Sequence, residues 1–280
     1  MSRKAIGIFV GRSTLDVVYA CERFPDPDGK IDAARSYLSA GGPALNAACA
    51  FSALGGEARL CSVVGQGPLA DWVRQDIGRQ AVEVLDAADR EPDMLPVSTV
   101  IVTGARRAIV NQPLPWRPAD LDEALLERLF ADRPDVVMSD GHLPELALPV
   151  LRRARRHGVV TVLDGGSWKP WTAELLPFID LAIVSSRFRP PGGEEVLESL
   201  RRSARAAAVT DGPRPIRWSE AEGFGEIHPP AVEAVDTLGA GDVFHGAFCH
   251  ALAAGKEFPG SLAAAAEAAS GACAQWGPRL

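Results

Sequence analysis

Cysteine is scarce and scattered in this chain. Cys21, Cys49, Cys61, Cys249 and Cys273 are five among 280 residues, an odd number with no Cys-x-x-Cys. That excludes a disulfide framework and a cysteine zinc site, and makes a reducing cytoplasm the expected location. Positive charge is also short: 29 Lys and Arg face 36 Asp and Glu, for a net charge of −7. No nucleic-acid partner is therefore expected. The basic cluster Arg152, Arg153, Arg155 and Arg156 reads as a solvated helix face near its C-terminus. No apolar run is long enough to cross a membrane, so no membrane partner is expected either. Ala5–Val10 is too short for a signal peptide and has no cleavage site after it; it reads as a buried first strand. Gly-x-x-x-x-Gly-Lys-Ser/Thr, a Gly-x-Gly-x-x-Gly after the first strand, and His-Glu-x-x-His are all absent, which argues against P-loop, dinucleotide-binding and zinc-protease chemistry. No internal repeat or low-complexity segment is visible.

What is present is an ordinary globular balance, 47% apolar and 23% charged, ample for a sizeable core. Short apolar runs at Ala5–Val10, Ala58–Val64, Asp135–Ser139, Val159–Leu163, Leu181–Ser185 and Ala206–Thr210 read as buried strands. Pro43–Leu54, Leu69–Arg79, Ala119–Ala131, Glu145–His157 and Glu194–Ala204 read as helices. Pro43 suits a first helical turn and Gly55-Gly56 a stop. This alternation predicts an α/β fold whose mostly parallel central sheet is covered on both faces, with ligands at the strands' C-terminal edge. Two regions break the pattern. Val17–Ala20 and Arg35–Ala40 flank one loop, and Val97–Thr103 and Arg107–Gln112 flank Gly104-Ala105-Arg106. They read as hairpin strands of a small second sheet. The scattered Trp72, Trp116, Trp168, Trp171, Trp218 and Trp276 are expected to pack in the core or in that sheet.

The most informative stretch is Ala234-Val-Asp-Thr-Leu-Gly-Ala-Gly-Asp-Val-Phe-His245. Gly239-Ala240-Gly241 allow a tight turn into a helix beginning near Asp242. Backbone N–H groups converging there make a site for an anion such as a phosphoryl group. Asp242 stands where a carboxylate can take a proton from a hydroxyl attacking phosphorus. Taken singly, the stretch reads equally well as a turn with an N-cap aspartate.

Asp236-Thr-Leu-Gly-Ala-Gly-Asp242 resembles the C-terminal signature of the PfkB, or ribokinase-like, family of carbohydrate kinases. Gly41-Gly42-Pro43-Ala44-Leu45-Asn46 resembles its second landmark, and Asp16, in the loop after the first strand, a third. Order and separation match from about Ile6 to Pro278. The resemblance implies a single three-layer α/β/α domain over residues 1–280, with lid insertions at about 12–40 and 96–114 covering the sugar. It implies transfer of a phosphoryl group from ATP, with Mg2+, to a sugar hydroxyl. Asp242 then matches the base, and Gly239, Ala240 and Gly241 the anion hole. Asp16, Gly41, Gly42 and Asn46 match sugar-holding positions; alone, Asn46 reads as an amide satisfying nearby backbone. Thr210, Gly212, Thr237, Asp164 and Lys169 match the nucleotide side, and Ser261–Trp276 the helix flanking adenine. Gly212 reads equally well as a turn residue, and the Ala-rich helix as packing.

The sequence departs from the family's Asn-x-x-Glu, which organises magnesium: it has Ser185-Ser186-Arg187-Phe188, so the metal-binding residues stay unassigned. Similar departures occur in ketohexokinase-like and sulfofructose-kinase-like relatives, which Thr161-Val-Leu-Asp-Gly-Gly also resembles. The end of the chain soon after Gly277-Pro278 implies less complete closure over the nucleotide. Asp28 and Lys30 on the first lid loop, and Arg107 and Asn111 on the second hairpin, are candidates for contacting the acceptor. His142 ends a strand within reach of substrate, whereas His245 and His250 read as surface or packed residues. A neutral or weakly acidic ketohexose or pentose is the expected acceptor. A nucleoside kinase and a non-catalytic sugar- or nucleotide-binding relative are the alternatives. Monovalent-cation activation is left open, and a homodimer through the lid is expected.

Overall fold

The computed structural model describes residues 3–88, 90–104, 106–114 and 121–280. Ala105, Trp116 and the start of the helix expected at Ala119–Ala131 lie outside them. The chain runs β1 (Ile6–Val10), β2 (Thr14–Ala20), β3 (Arg35–Gly41), α1 (Pro43–Ala53), β4 (Glu57–Ser62), α2 (Pro68–Gly78), β5 (Val82–Asp86), β6 (Val97–Thr103) and β7 (Arg106–Asn111). It continues through α3 (Glu123–Leu129), β8 (Val136–Ser139), α4 (Pro144–His157), β9 (Val160–Gly165), α5 (Thr172–Leu175), β10 (Leu181–Ser185) and α6 (Val196–Arg201). It ends with β11 (Ala206–Asp211), β12 (Arg214–Glu220), β13 (Gly223–Ile227), α7 (Ala240–Ala253) and α8 (Phe258–Cys273).

Among the described residues nine strands form the main sheet, in the order β13-β12-β11-β10-β9-β8-β1-β4-β5. The pairs from β11 to β5 are parallel and the β11-β12-β13 edge is antiparallel. Every residue of β1 is buried, as a strand covered on both faces requires. Alternate side chains serve opposite layers: Phe9 joins the core beneath α1, α2, α7 and α8, and Ile8 and Val10 the core beneath α3, α4 and α6. This is the expected three-layer α/β/α sandwich. The strands β5, β12 and β13 were not foreseen. β12 and β13 carry Arg, Glu and Gly between few apolar residues, so neither a buried run nor a clean alternation marks them.

The second sheet has the order β3-β2-β6-β7. Its register sets Ser39, Asp16, Ser98 and Asn111 abreast, so these polar side chains share one face. On that face Val18, Val100 and Val102 make a small core with Tyr37 and Leu238. The lid therefore rests on Leu238, one residue before the Gly239 turn.

Candidate active site

The strand order reverses between β1 and β8, and a ligand crevice is expected at their C-terminal ends. Asp140, just beyond β8, ties that crevice together. Its buried carboxylate accepts from the backbone N–H of Arg12 at 2.8 Å, of His142 at 2.9 Å and of Ala44 at 3.3 Å. The loop after β1, the start of α1 and the loop after β8 are thus pinned to one side chain. Sequence reasoning did not single out Asp140, because its partners at positions 12 and 44 are remote in the chain.

Asp16 lies inside β2, not in the loop after the first strand as expected: Thr14 already pairs with Gly41, so the strand begins two residues earlier. The buried Asp16 carboxylate accepts from Thr14 Oγ1 at 2.6 Å. It fills the space beside Gly41, where an added Cβ would lie 2.0 Å from Asp16 Oδ2. Desolvation raises the Asp16 pKa, against the opposing pull of Thr14 and Arg12.

Asp242 stands in the first turn of α7, whose N-cap Gly239 takes φ 76° and offers no side-chain cap. The helix start, not at Asp242 but two residues before it at Ala240, leaves its first-turn N–H groups without intrahelical acceptors. α7 lies directly against α1 because Gly246 has no side chain: an added Cβ would fall 2.3 Å from the Ala47 carbonyl oxygen. That contact brings buried Asn46 of α1 to Asp242, and Asn46 Nδ2 donates to Asp242 Oδ2 at 2.8 Å. The Asn46 carbonyl oxygen is buried without a partner among the described residues, so it is free to accept from a bound hydroxyl. Burial, then the charge of Asp164, pushes the Asp242 pKa up to about 7, while Asn46 and His245 pull the other way. A carboxylate near 7 is matched to accept a proton at neutral pH.

His245 is a site residue the sequence reading missed. It is buried, with Nδ1 2.7 Å from the Gly241 carbonyl oxygen and Nε2 3.2 Å from that of Ile183. Nδ1 is also 3.7 Å from Asp164 Oδ2. The ring links the first turn of α7 to β9 and β10. Its spacing to His250 hid this role, because the relevant partners lie on other elements. Asp164, at the end of β9, is buried and its pKa is raised, chiefly by desolvation.

The remaining expected residues divide. Thr237 is half-buried before the Gly239 turn, and its carbonyl accepts from Arg107 Nη1 at 3.2 Å. Arg107 therefore joins the lid to the loop before α7. Asn111 falls in the polar row with Asp16. Asp28 and Lys30 are exposed in the first lid loop, and no contact with another described residue brings them to the crevice. Thr210 is anchored at the end of β11, its carbonyl accepting from Ser186 N at 2.8 Å. Gly212 takes φ 59° in the turn to β12. Lys169 lines a cavity with Arg12 and His142, and its charge acts on Asp164.

A directly held magnesium does not fit these residues. Phe188 occupies the glutamate position of Asn-x-x-Glu, is 1% exposed and packs edge-on against Trp168. Ser185 Oγ caps Arg187 N at 3.0 Å and donates to Gly166 O at 3.2 Å. Among the described residues no three His, Cys, Asp or Glu side chains gather as a metal cage. All five cysteines are free thiols.

Comparison with known proteins places this geometry among relatives. A match to the family described as pfkB family carbohydrate kinase spans residues 8–280. The chain is 24% identical to ribokinase of Bacillus subtilis, over 93% of this chain and 90% of that protein. It is 23% identical to ketohexokinase of Mus musculus, over 98% and 97%. The solved structure of Arabidopsis thaliana ribokinase with ribose and ATP superposes with a TM-score of 0.79, at 22% identity, over 99% of this chain and 94% of that one.

Proposed function

The chain belongs to the pfkB family of carbohydrate kinases, and from that premise we propose that it transfers the γ-phosphoryl group of ATP to a hydroxyl of a small sugar. The observation that carries this reading is Asp242, held by Asn46 at 2.8 Å beside the uncapped start of α7. An acceptor hydroxyl hydrogen-bonded to Asp242 loses its proton to that carboxylate as its oxygen bonds to the γ-phosphorus. The bond from phosphorus to the β–γ bridging oxygen breaks, and ADP leaves. The N–H groups at the Gly239-Ala240-Gly241 turn would meet the charge developing on the transferred group, the Ala240 N–H giving up its long 3.4 Å bond to the Thr237 carbonyl. Asp16, Gly42, Asn46 and Asn111 would hold the sugar, and Thr210, Gly212 and Thr237 border the nucleotide phosphates. ATP as donor is supported by the ribokinase complex that shares the fold. We propose that magnesium arrives on ATP, held by phosphate oxygens and water.

A ketohexose or pentose framework accords with the ribokinase and ketohexokinase relatives. The non-catalytic alternative draws on the missing Asn-x-x-Glu, where Ser185 and Phe188 stand, whereas Asp242 and its glycine turn are intact. Phosphorus NMR of the product from MgATP and a sugar panel tests the reading. A new phosphoester resonance, absent with Asp242→Asn, is expected. Inorganic phosphate as the sole product would overturn it. No helix among the described residues is long and apolar enough to cross a membrane; a cytoplasmic location stays part of the proposal.

A further inference from the structure

A cavity of about 350 Å³ opens beside the crevice, and its lining includes Arg12, Ser13, His142, Glu145, Lys169 and Trp171. Three of these are basic, and each comes from a different strand end: Arg12 follows β1, His142 follows β8 and Lys169 follows β9. Their positions are fixed by backbone. Arg12 and His142 both donate their N–H to Asp140, and Lys169 N donates to Thr172 Oγ1 at 2.9 Å. An added Cβ on Gly141 would lie 3.9 Å from Lys169 Nζ, so the ammonium crosses the β8 end towards His142.

Among the described residues no carboxylate is ion-paired to Arg12 or Lys169, although Asp140 and Asp16 act on Arg12 and Asp164 on Lys169 from behind the cavity wall. Arg12 Nη2 donates to the Gln112 carbonyl at 2.7 Å, but its buried Nε has no partner among the described residues. Among the described residues the hydrogen bond of Lys169 Nζ is a long one, to the Ser167 carbonyl at 3.4 Å. Glu145 is the one acid among the described residues of the lining, and it is itself engaged in an interaction. The buried Asp140 carboxylate is spent on three backbone N–H groups. Burial, with Lys169 and Arg12 facing the ring, pushes the His142 pKa down against the pull of Asp140. Converging cations and an imidazole around a void of sugar-fragment size are a receptor for an oxyanion. The cavity also lies beside the reacting end: Arg12 acts on Asp16 and Lys169 on Asp164, and both carboxylates act on Asp242.

We infer that this cavity binds a terminal oxyanion of the acceptor, so that the sugar carries a phosphate, sulfonate or carboxylate group away from the hydroxyl attacked at Asp242. The inference rests on the kinase reading and names the substrate class of that site. It moves the acceptor from neutral or weakly acidic, as expected from sequence, to anionic. It also puts the charged contacts to the acceptor at the sheet edge, away from the lid residues Lys30 and Arg107.

The test pairs each neutral ketohexose and pentose with its terminal phosphate, sulfonate and carboxylate counterparts under MgATP. One anionic class is expected to exceed its neutral parent in kcat/KM by roughly 100-fold, as sites built around buried charged donors discriminate. Arg12→Met and Lys169→Met are each expected to raise KM for that acceptor about tenfold or more, the scale of a lost charge-assisted hydrogen bond. KM for ATP should move far less, and thermal unfolding checks that both variants fold. Neutral parents used as well as every anionic counterpart would overturn the inference and leave the kinase reading standing. If nothing is phosphorylated, calorimetry with inorganic phosphate and sulfate decides. Binding lost in both variants upholds the anion site while the kinase reading fails; no anion binding overturns the inference.

Discussion

At the scale of single residues, Asp242 is the proposed base, and its surroundings set the pH at which it would work. Its pKa, raised to about 7 by burial and then by Asp164, places the acid limb of the kcat/KM profile near pH 7, with activity rising as pH rises through it. Asp242→Asn is expected to lower kcat by about 10²–10⁴, the usual cost of removing a general base. The same shift has a consequence for stability. Between the ordinary value of 3.8 and about 7, the folded carboxyl holds a proton that the unfolded one has lost. Stability therefore falls as pH rises through that window. At pH 8 the Asn variant is expected to melt a few degrees above the parent, since about 1 kcal/mol moves Tm by roughly 2–4 °C in a domain of this size. An unchanged or lower Tm would contradict the burial of the charge. Asn46→Ala removes the one donor named on Asp242. It should move the acid limb upward and raise the sugar KM more than the ATP KM. Equal KM effects with an unmoved limb would reduce Asn46 to a packing residue.

Legibility in the sequence divides along the same line. Gly239-Ala240-Gly241-Asp242 could be read because the whole device is local: a turn, a helix start and a carboxylate within four residues. Asp140 and His245 could not, because each acts through strands and helices far away in the chain. Asp16 is placed in a loop by sequence and in β2 by the structure, since whether Thr14–Asp16 is loop or strand depends on pairing with Gly41 and Val97, which lies beyond local pattern.

At the scale of elements, the contact between α1 and α7 is what assembles the base and its amide. Gly246→Val would drive a side chain into the Ala47 carbonyl, a backbone atom that cannot swing away. A destabilisation of about 1–3 kcal/mol follows from such overpacking, with a loss of kcat beyond the unfolded fraction because Asn46 and Asp242 part. Circular dichroism melting and kinetics on the folded fraction check this; full kcat in the folded fraction would show that the helix spacing is irrelevant to the base. The end of β10 makes the opposite point. Phe188 belongs to the core, so Ser185→Asn with Phe188→Glu is expected to destabilise the chain by several kcal/mol, the cost of burying an unpaired acid, without tightening magnesium dependence. Lower magnesium requirement in that double variant would contradict the assignment of the metal to ATP. Legibility follows packing here too: strands buried on both faces stood out as apolar runs, while β12 and β13, half-exposed at the sheet edge, did not.

At the scale of the molecule, the lid has two faces with different tasks. One carries the Ser39, Asp16, Ser98 and Asn111 row and rests on Leu238. The other sets Leu38, Val17, Thr99 and Val110 abreast, with Leu38 51% and Val110 72% exposed. We propose that a second copy covers this apolar face, giving the homodimer expected from sequence. Light scattering should find a dimer that Leu38→Lys with Val110→Lys converts to monomer; a concentration-independent monomer in the parent would refute it.

The whole scheme depends on acceptor-driven phosphoryl transfer through Asp242, and one measurement addresses that directly: ADP release from MgATP, with and without each acceptor, by the parent and by Asp242→Asn. ADP release stimulated by an acceptor, and lost by about 100-fold or more in the variant, is the expected result. Equal acceptor-dependent release by both proteins would contradict it.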